Sequence, residues 1–133
     1  MYKATVAILT YLTYFEPCDN IYTMSIKLDI PNHLCTTCFE YLLANSLLEI
    51  KYPTPKIYIV TFKGKEFLLT VPIDFMVDII IDIANTYYSN VYHLIDVITK
   101  WTENSNNYLS IFSYLLTHER GIVREIASSI WKE

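Results

Sequence analysis

A chain of 133 residues, 53% apolar and only 18% charged, suits one small domain or a small domain with an appendage. Its ten basic and fourteen acidic side chains leave −4, so bulk charge gives no support to nucleic-acid binding. Only two glycines, Gly64 and Gly121, stand against an abundance of Leu, Ile and Tyr, which predicts mostly helix with few tight turns.

The charge is unevenly spread. In residues 1–70 six lysines cancel six acids, and four of those lysines lie between positions 51 and 65. In residues 71–133 four basic side chains face eight acidic ones and carry the whole −4. Met1-Tyr2-Lys3 leads into an interrupted apolar stretch without a cleavage site, so no signal peptide is expected. The apolar run Val71–Ala84 contains Asp74, Asp78 and Asp82, which are costly in a bilayer, so no membrane span is expected. The expected setting is cytoplasmic, with the three cysteines reduced.

Tyr2–Phe15 has helical spacing, with Val6, Leu9, Tyr11 or Leu12, and Phe15 on one face. Glu16-Pro17-Cys18-Asp19-Asn20 stops it. Asn20 or Thr23 caps a short second helix through Leu28, and Pro31-Asn32 precedes a third helix over His33–Asn45. Cys35, Phe39, Leu42 and Leu43 share one face of that third helix. Strands are expected at Leu48–Tyr52 and Lys56–Phe62, with Pro53 and Pro55 in the connecting tip because neither has an amide hydrogen to pair. A fourth helix begins near Gly64.

Beyond Pro72 the pattern is purely helical. Asp74, Asp78 and Asp82 form an acidic stripe at successive turns of an otherwise apolar helix, which must pack on something. Ser89-Asn90 can start another helix, with Val91, Leu94, Ile95, Ile98 and Trp101 inward. After a polar loop at Glu103–Asn107, Tyr108–Leu116 and Ile122–Trp131 form one kinked helix or two. The apolar excess of this half fits either a dimer interface or a fold-back onto the N-terminal half; dimerisation is the favoured expectation.

The helix end Leu-Leu-Ala-Asn-Ser-Leu-Leu-Glu (42–49), set before a hairpin that ends in Thr-x-Lys-Gly-Lys-Glu-Phe-Leu (61–68), resembles the archaeal winged helix-turn-helix transcription regulators. The likeness includes the small regulators of crenarchaea and their viruses. It covers about the first seventy residues. It implies a mainly α fold with a small β-hairpin: a winged helix-turn-helix domain over 1–70, then a helical extension over 71–133 serving as a dimerisation region. It further implies a homodimer on double-stranded DNA, in the host cytoplasm if the chain is viral. By position, the groove-facing residues would be Asn32, His33, Thr36, Thr37, Glu40 and Tyr41, and the phosphate-facing lysines Lys51, Lys56, Lys63 and Lys65. The third helix contains no Arg or Lys, and Ser46 stands where the family usually has glycine; Asn45 can serve as the left-handed residue instead. The cation-free helix and the acidic stripe suit the alternative, a winged helix turned protein-binding module, an inhibitor or adaptor of a nucleic-acid enzyme.

Other chemistry has less support. Cys35-Thr-Thr-Cys38 could hold zinc or switch redox state, but Cys35 falls on the core face and no second pair exists, so buried structural thiols are expected. His33, His93 and His118 are scattered without a nucleophile or carboxylate at catalytic spacing, and neither glycine lies in a phosphate-cradling cluster. No catalytic residue, cofactor or metal is expected, and the aspartate stripe reads as a solvated face.

Overall fold

The computed structural model describes residues 2–87, 91–105 and 108–130. The molecule is mainly helical with one two-stranded antiparallel hairpin. The expected helix start at Ser89-Asn90 and the end at Trp131 lie outside the described residues, as do the side chains of Val91 and His93.

Helix α1 (Tyr2–Thr10) continues into a π-helical turn over Tyr11–Phe15, closed by Glu16 N donating to Tyr11 O at 2.9 Å. The sequence predicts one buried face, but Val6, Ile8, Leu9, Tyr11, Leu12, Tyr14 and Phe15 are all buried. A helix apolar on every side belongs in the centre of a fold. Its neighbours account for this: the helix packs on α3, α4 and α5, and the π turn packs on α6 and β2.

Helix α2 (Ile21–Lys27) is capped by Asn20, whose side chain accepts from Thr23 N at 2.8 Å. It ends with Asp29 in the left-handed region at φ 53°, where Ile30 N reaches Ser25 O at 3.0 Å and Asp29 N reaches Ile26 O at 3.3 Å. Helix α3 (Asn32–Ala44) ends the same way, with Leu47 N on Leu42 O at 2.9 Å and Ser46 N on Leu43 O at 3.1 Å. Here Ser46, not Asn45, takes the left-handed conformation at φ 60°, while Asn45 stays at φ −98°. The side chain of Asn45 is used differently, donating to Tyr41 O at 2.8 Å.

Strand β1 (Leu48–Pro53) pairs with β2 (Lys56–Val60), with Leu48 opposite Val60, Ile50 opposite Tyr58 and Pro53 opposite Lys56. Pro53 therefore ends β1 rather than lying in the tip, which is Thr54-Pro55 alone. The register slips between Ile50 and Tyr52, so Lys51 is the extra residue of a bulge. Strand β2 stops before Phe62 because Thr61 caps α4 (Phe62–Leu69): its hydroxyl accepts from Gly64 N at 3.0 Å and donates to Ser46 O at 2.6 Å. Asp19 adds an isolated antiparallel bridge to Tyr58, exchanging backbone hydrogen bonds of 3.3 and 2.9 Å.

Helix α5 (Ile73–Tyr87) presents Asp74, Asp78 and Asp82 to solvent and buries Met76, Val77, Ile79, Ile80, Ile81, Ile83 and Ala84. Helices α6 (Val91–Asn104), α7 (Tyr108–Leu116) and α8 (Gly121–Ile130) follow, so the last apolar stretch forms two helices broken around His118. One buried cluster runs across residue 70, from Val6 and Phe39 to Ile80, Trp101, Ile111 and Ile126. The C-terminal apolar excess is thus largely hidden within one chain, and an interface for it no longer follows from surplus alone. No helix among the described residues is long and apolar enough to cross a membrane.

Candidate functional site

Helix α3 separates its residues by chemistry. Cys35, Cys38, Phe39 and Leu42 are buried, whereas Asn32, His33, Thr37, Glu40 and Tyr41 are exposed and Thr36 is half-buried. A 3.6-residue period produces this division from the sequence itself. The six groove-facing candidates therefore fall on the outward side of one helix. The two threonines are partly engaged: Thr36 and Thr37 each donate to the carbonyl one turn back, of Asn32 and His33, at 3.0 Å. Their hydroxyl lone pairs stay available, so towards a ligand both act as acceptors. Glu40 adds another acceptor.

The four candidate lysines are all exposed but do not form one set. Lys51 sits at the bulge with its ammonium 5.5 Å from the centre of the Tyr52 ring, and Lys56 opens β2 beside the hairpin tip. Lys63 donates to Asn45 O at 3.0 Å, so its charge rests on the C-terminus of α3, where a cation meets the negative end of the helix dipole. Lys65 lies one turn into α4, beside Glu66 and a recess bounded by Thr13, Tyr14 and Asn104.

Cys35 and Cys38 are fully buried in the core, whereas His33 is exposed. Burial, then the neighbouring Cys38, pushes the Cys35 thiol up to about 11. The aspartate stripe meets its own chain at two places. Asp82 pairs with Lys3 at 3.4 Å. Asp78 and Asp74 stand close enough to Tyr114 to add to the effect of burial in raising its hydroxyl pKa.

A network around Asp19 escapes sequence reading. Its carboxylate accepts from Tyr11 Oη at 2.7 Å and lies 3.7 Å from the Lys27 ammonium, which itself donates to Tyr11 Oη at 2.9 Å. Both charges are largely buried, with side-chain exposures of 12% and 16%. The residue that anchors this network also forms the backbone bridge to Tyr58, so the segment before α2 is held both to Tyr11 and Lys27 and to the hairpin. The network's only sequence trace is an Asp-Asn pair after Pro17, which any turn would show. A second feature is a cleft of about 480 Å³ between Ala4 and Ala7 of α1, the α2–α3 connection and Ile83 of α5. The chain matches no protein-family model, no curated protein and no solved structure.

Proposed function

We propose that this chain is a winged helix-turn-helix protein that regulates transcription by binding duplex DNA, with α3 in the major groove and the β1–β2 hairpin along the backbone. The observation that carries this reading is the two-sided character of α3. It buries its apolar residues, turns Asn32, His33, Thr36, Thr37, Glu40 and Tyr41 outward, and runs through a tight Ser46 turn into a hairpin bearing Lys51 and Lys56. The Asp19–Tyr58 bridge adds support, since it ties the segment before α2 to the hairpin.

The chemistry of such an interface follows from the residue types. Lys51 and Lys56 hold phosphates, and Lys63 stiffens the junction between α3 and the hairpin. With no cation on α3, the face is rich in acceptors, which suits the exocyclic amines of cytosine and adenine rather than guanine O6 and N7. Two phosphate contacts per protomer correspond to a log K against log[salt] slope of about −1.8 per protomer. Titration of labelled duplex at several salt concentrations, wild type against Lys51→Ala/Lys56→Ala, tests this. Loss of that slope in the variant supports the reading, and an unchanged slope refutes it.

A second reading, a protein-binding module, draws on the exposed apolar side chains Tyr22, Ile26 and Tyr52, which are 72%, 56% and 55% exposed. A protein retained stoichiometrically by both wild type and the double lysine variant would favour it.

A further inference from the structure

Helix α4 carries a stripe with an internal symmetry. Phe62, Lys65, Glu66 and Leu69 occupy positions i, i+3, i+4 and i+7, one face of the helix. Phe62 is 78% exposed and Leu69 41% exposed, an apolar pair bracketing two opposite charges. Neither charge takes part in an ion pair among the described residues. The same four residues line a recess of about 400 Å³ with Thr13, Tyr14 and Asn104.

We propose that this face is a self-association surface whose occupant is a second copy of the chain, the two α4 helices packing antiparallel across a two-fold axis. The midpoint of the stripe falls between Lys65 and Glu66. An antiparallel pairing centred there sets Phe62 of each copy against Leu69 of the other, and Lys65 of each against Glu66 of the other. A two-fold interface must be complementary to itself. This stripe meets that condition in both charge and apolar contact, with an exposed aromatic ring beside a recess able to receive its counterpart. The pairing would also remove Lys65 from any phosphate contact. It depends on α4 alone and stands or falls separately from DNA binding.

The test is sedimentation equilibrium of the full chain without DNA over a wide concentration range. A pairing of this size lies at the weak end, below about 1,200 Å² of buried surface, so dimer is expected near ~0.1 mM rather than at nanomolar protein. Lys65→Glu and Glu66→Lys each turn two attractive contacts into repulsive ones and should weaken association by about tenfold. The double swap Lys65→Glu/Glu66→Lys should restore it, and Phe62→Ser, which removes two rings per dimer, should weaken it by about a hundredfold. All three positions are exposed, and circular dichroism verifies that each variant is folded. A wild type that stays monomeric at millimolar concentration overturns the proposal. So do single reversals without effect, or a double swap that fails to restore the dimer.

Discussion

Gly64 offers the sharpest test of how α4 docks on the hairpin. It is buried in the first turn of α4, where a Cβ would press into the Leu47 carbonyl oxygen and lie 2.7 Å from Val60 Cγ1. Leu47 O already accepts from Thr61 N at 3.1 Å, and Gly64 N donates to the Thr61 hydroxyl. The obstacle is therefore mainly backbone, which cannot swing away as a long side chain would. Forcing a methyl group in costs about 1–3 kcal/mol of overpacking. Loss of the Thr61–Leu47 hydrogen bond adds about 1 kcal/mol. Against this, alanine in a helix interior gains about 1 kcal/mol over glycine. The expected net effect of Gly64→Ala is a loss of about 2 kcal/mol, read as a lower urea midpoint at unchanged m value or a Tm lower by roughly 6–10 °C. Helix propensity alone predicts the opposite sign. A variant as stable as wild type, or more so, would refute the packing argument.

At Ser46 the left-handed conformation strains a residue with a Cβ, so Ser46→Gly should stabilise by about 0.5–1 kcal/mol in urea unfolding, net of the entropy glycine adds to the unfolded chain. Asn45→Gly, at negative φ, should bring no gain. Alkaline pH should destabilise the fold. Burial raises the Cys35 thiol from 9.0 to about 11 and the Tyr14 hydroxyl from 10.0 to about 12. Both groups keep their protons in the folded state longer than in the unfolded chain. Their contribution is whole below pH ~9 and falls as pH climbs towards the folded values, by about 1.4 kcal/mol per pH unit for each group. Urea midpoints across that range measure the fall, and Cys35→Ala should remove its lower part; a flat profile would contradict the burial of these groups.

Local rules made much of this molecule legible. The division of α3 into core and outward faces follows from helical period, and the hairpin from two short runs that meet at Pro53 and Pro55. Asn20 is a cap by residue type and position, whereas Thr61 reads as a strand residue and shows itself as the cap of α4 only in the structure. What stayed hidden depends on distance along the chain. Nothing local tells that α1 and its π turn pack on more than one side, because the extra buried positions, Ile8 and Tyr14, are explained only by elements that arrive later. The Asp19 network joins residues 8 and 16 positions apart. The bond from Lys63 to Asn45 O spans 18 positions and takes one lysine out of what reads as a uniform basic cluster. Ser46 conceals its conformation because serine is not the residue that usually adopts it. The apolar surplus of the last sixty residues was ambiguous for another reason: composition counts apolar surface but does not say whether the same chain covers it.

Whether α3 and the hairpin hold duplex DNA, as proposed, is read from the salt dependence of duplex binding by wild type and the Lys51→Ala/Lys56→Ala variant. Wild type should bind at low salt and release as salt rises, and the slope should fall by about 0.9 for each lysine removed. Absence of binding to any duplex at low salt, or a slope indifferent to both lysines, would contradict it.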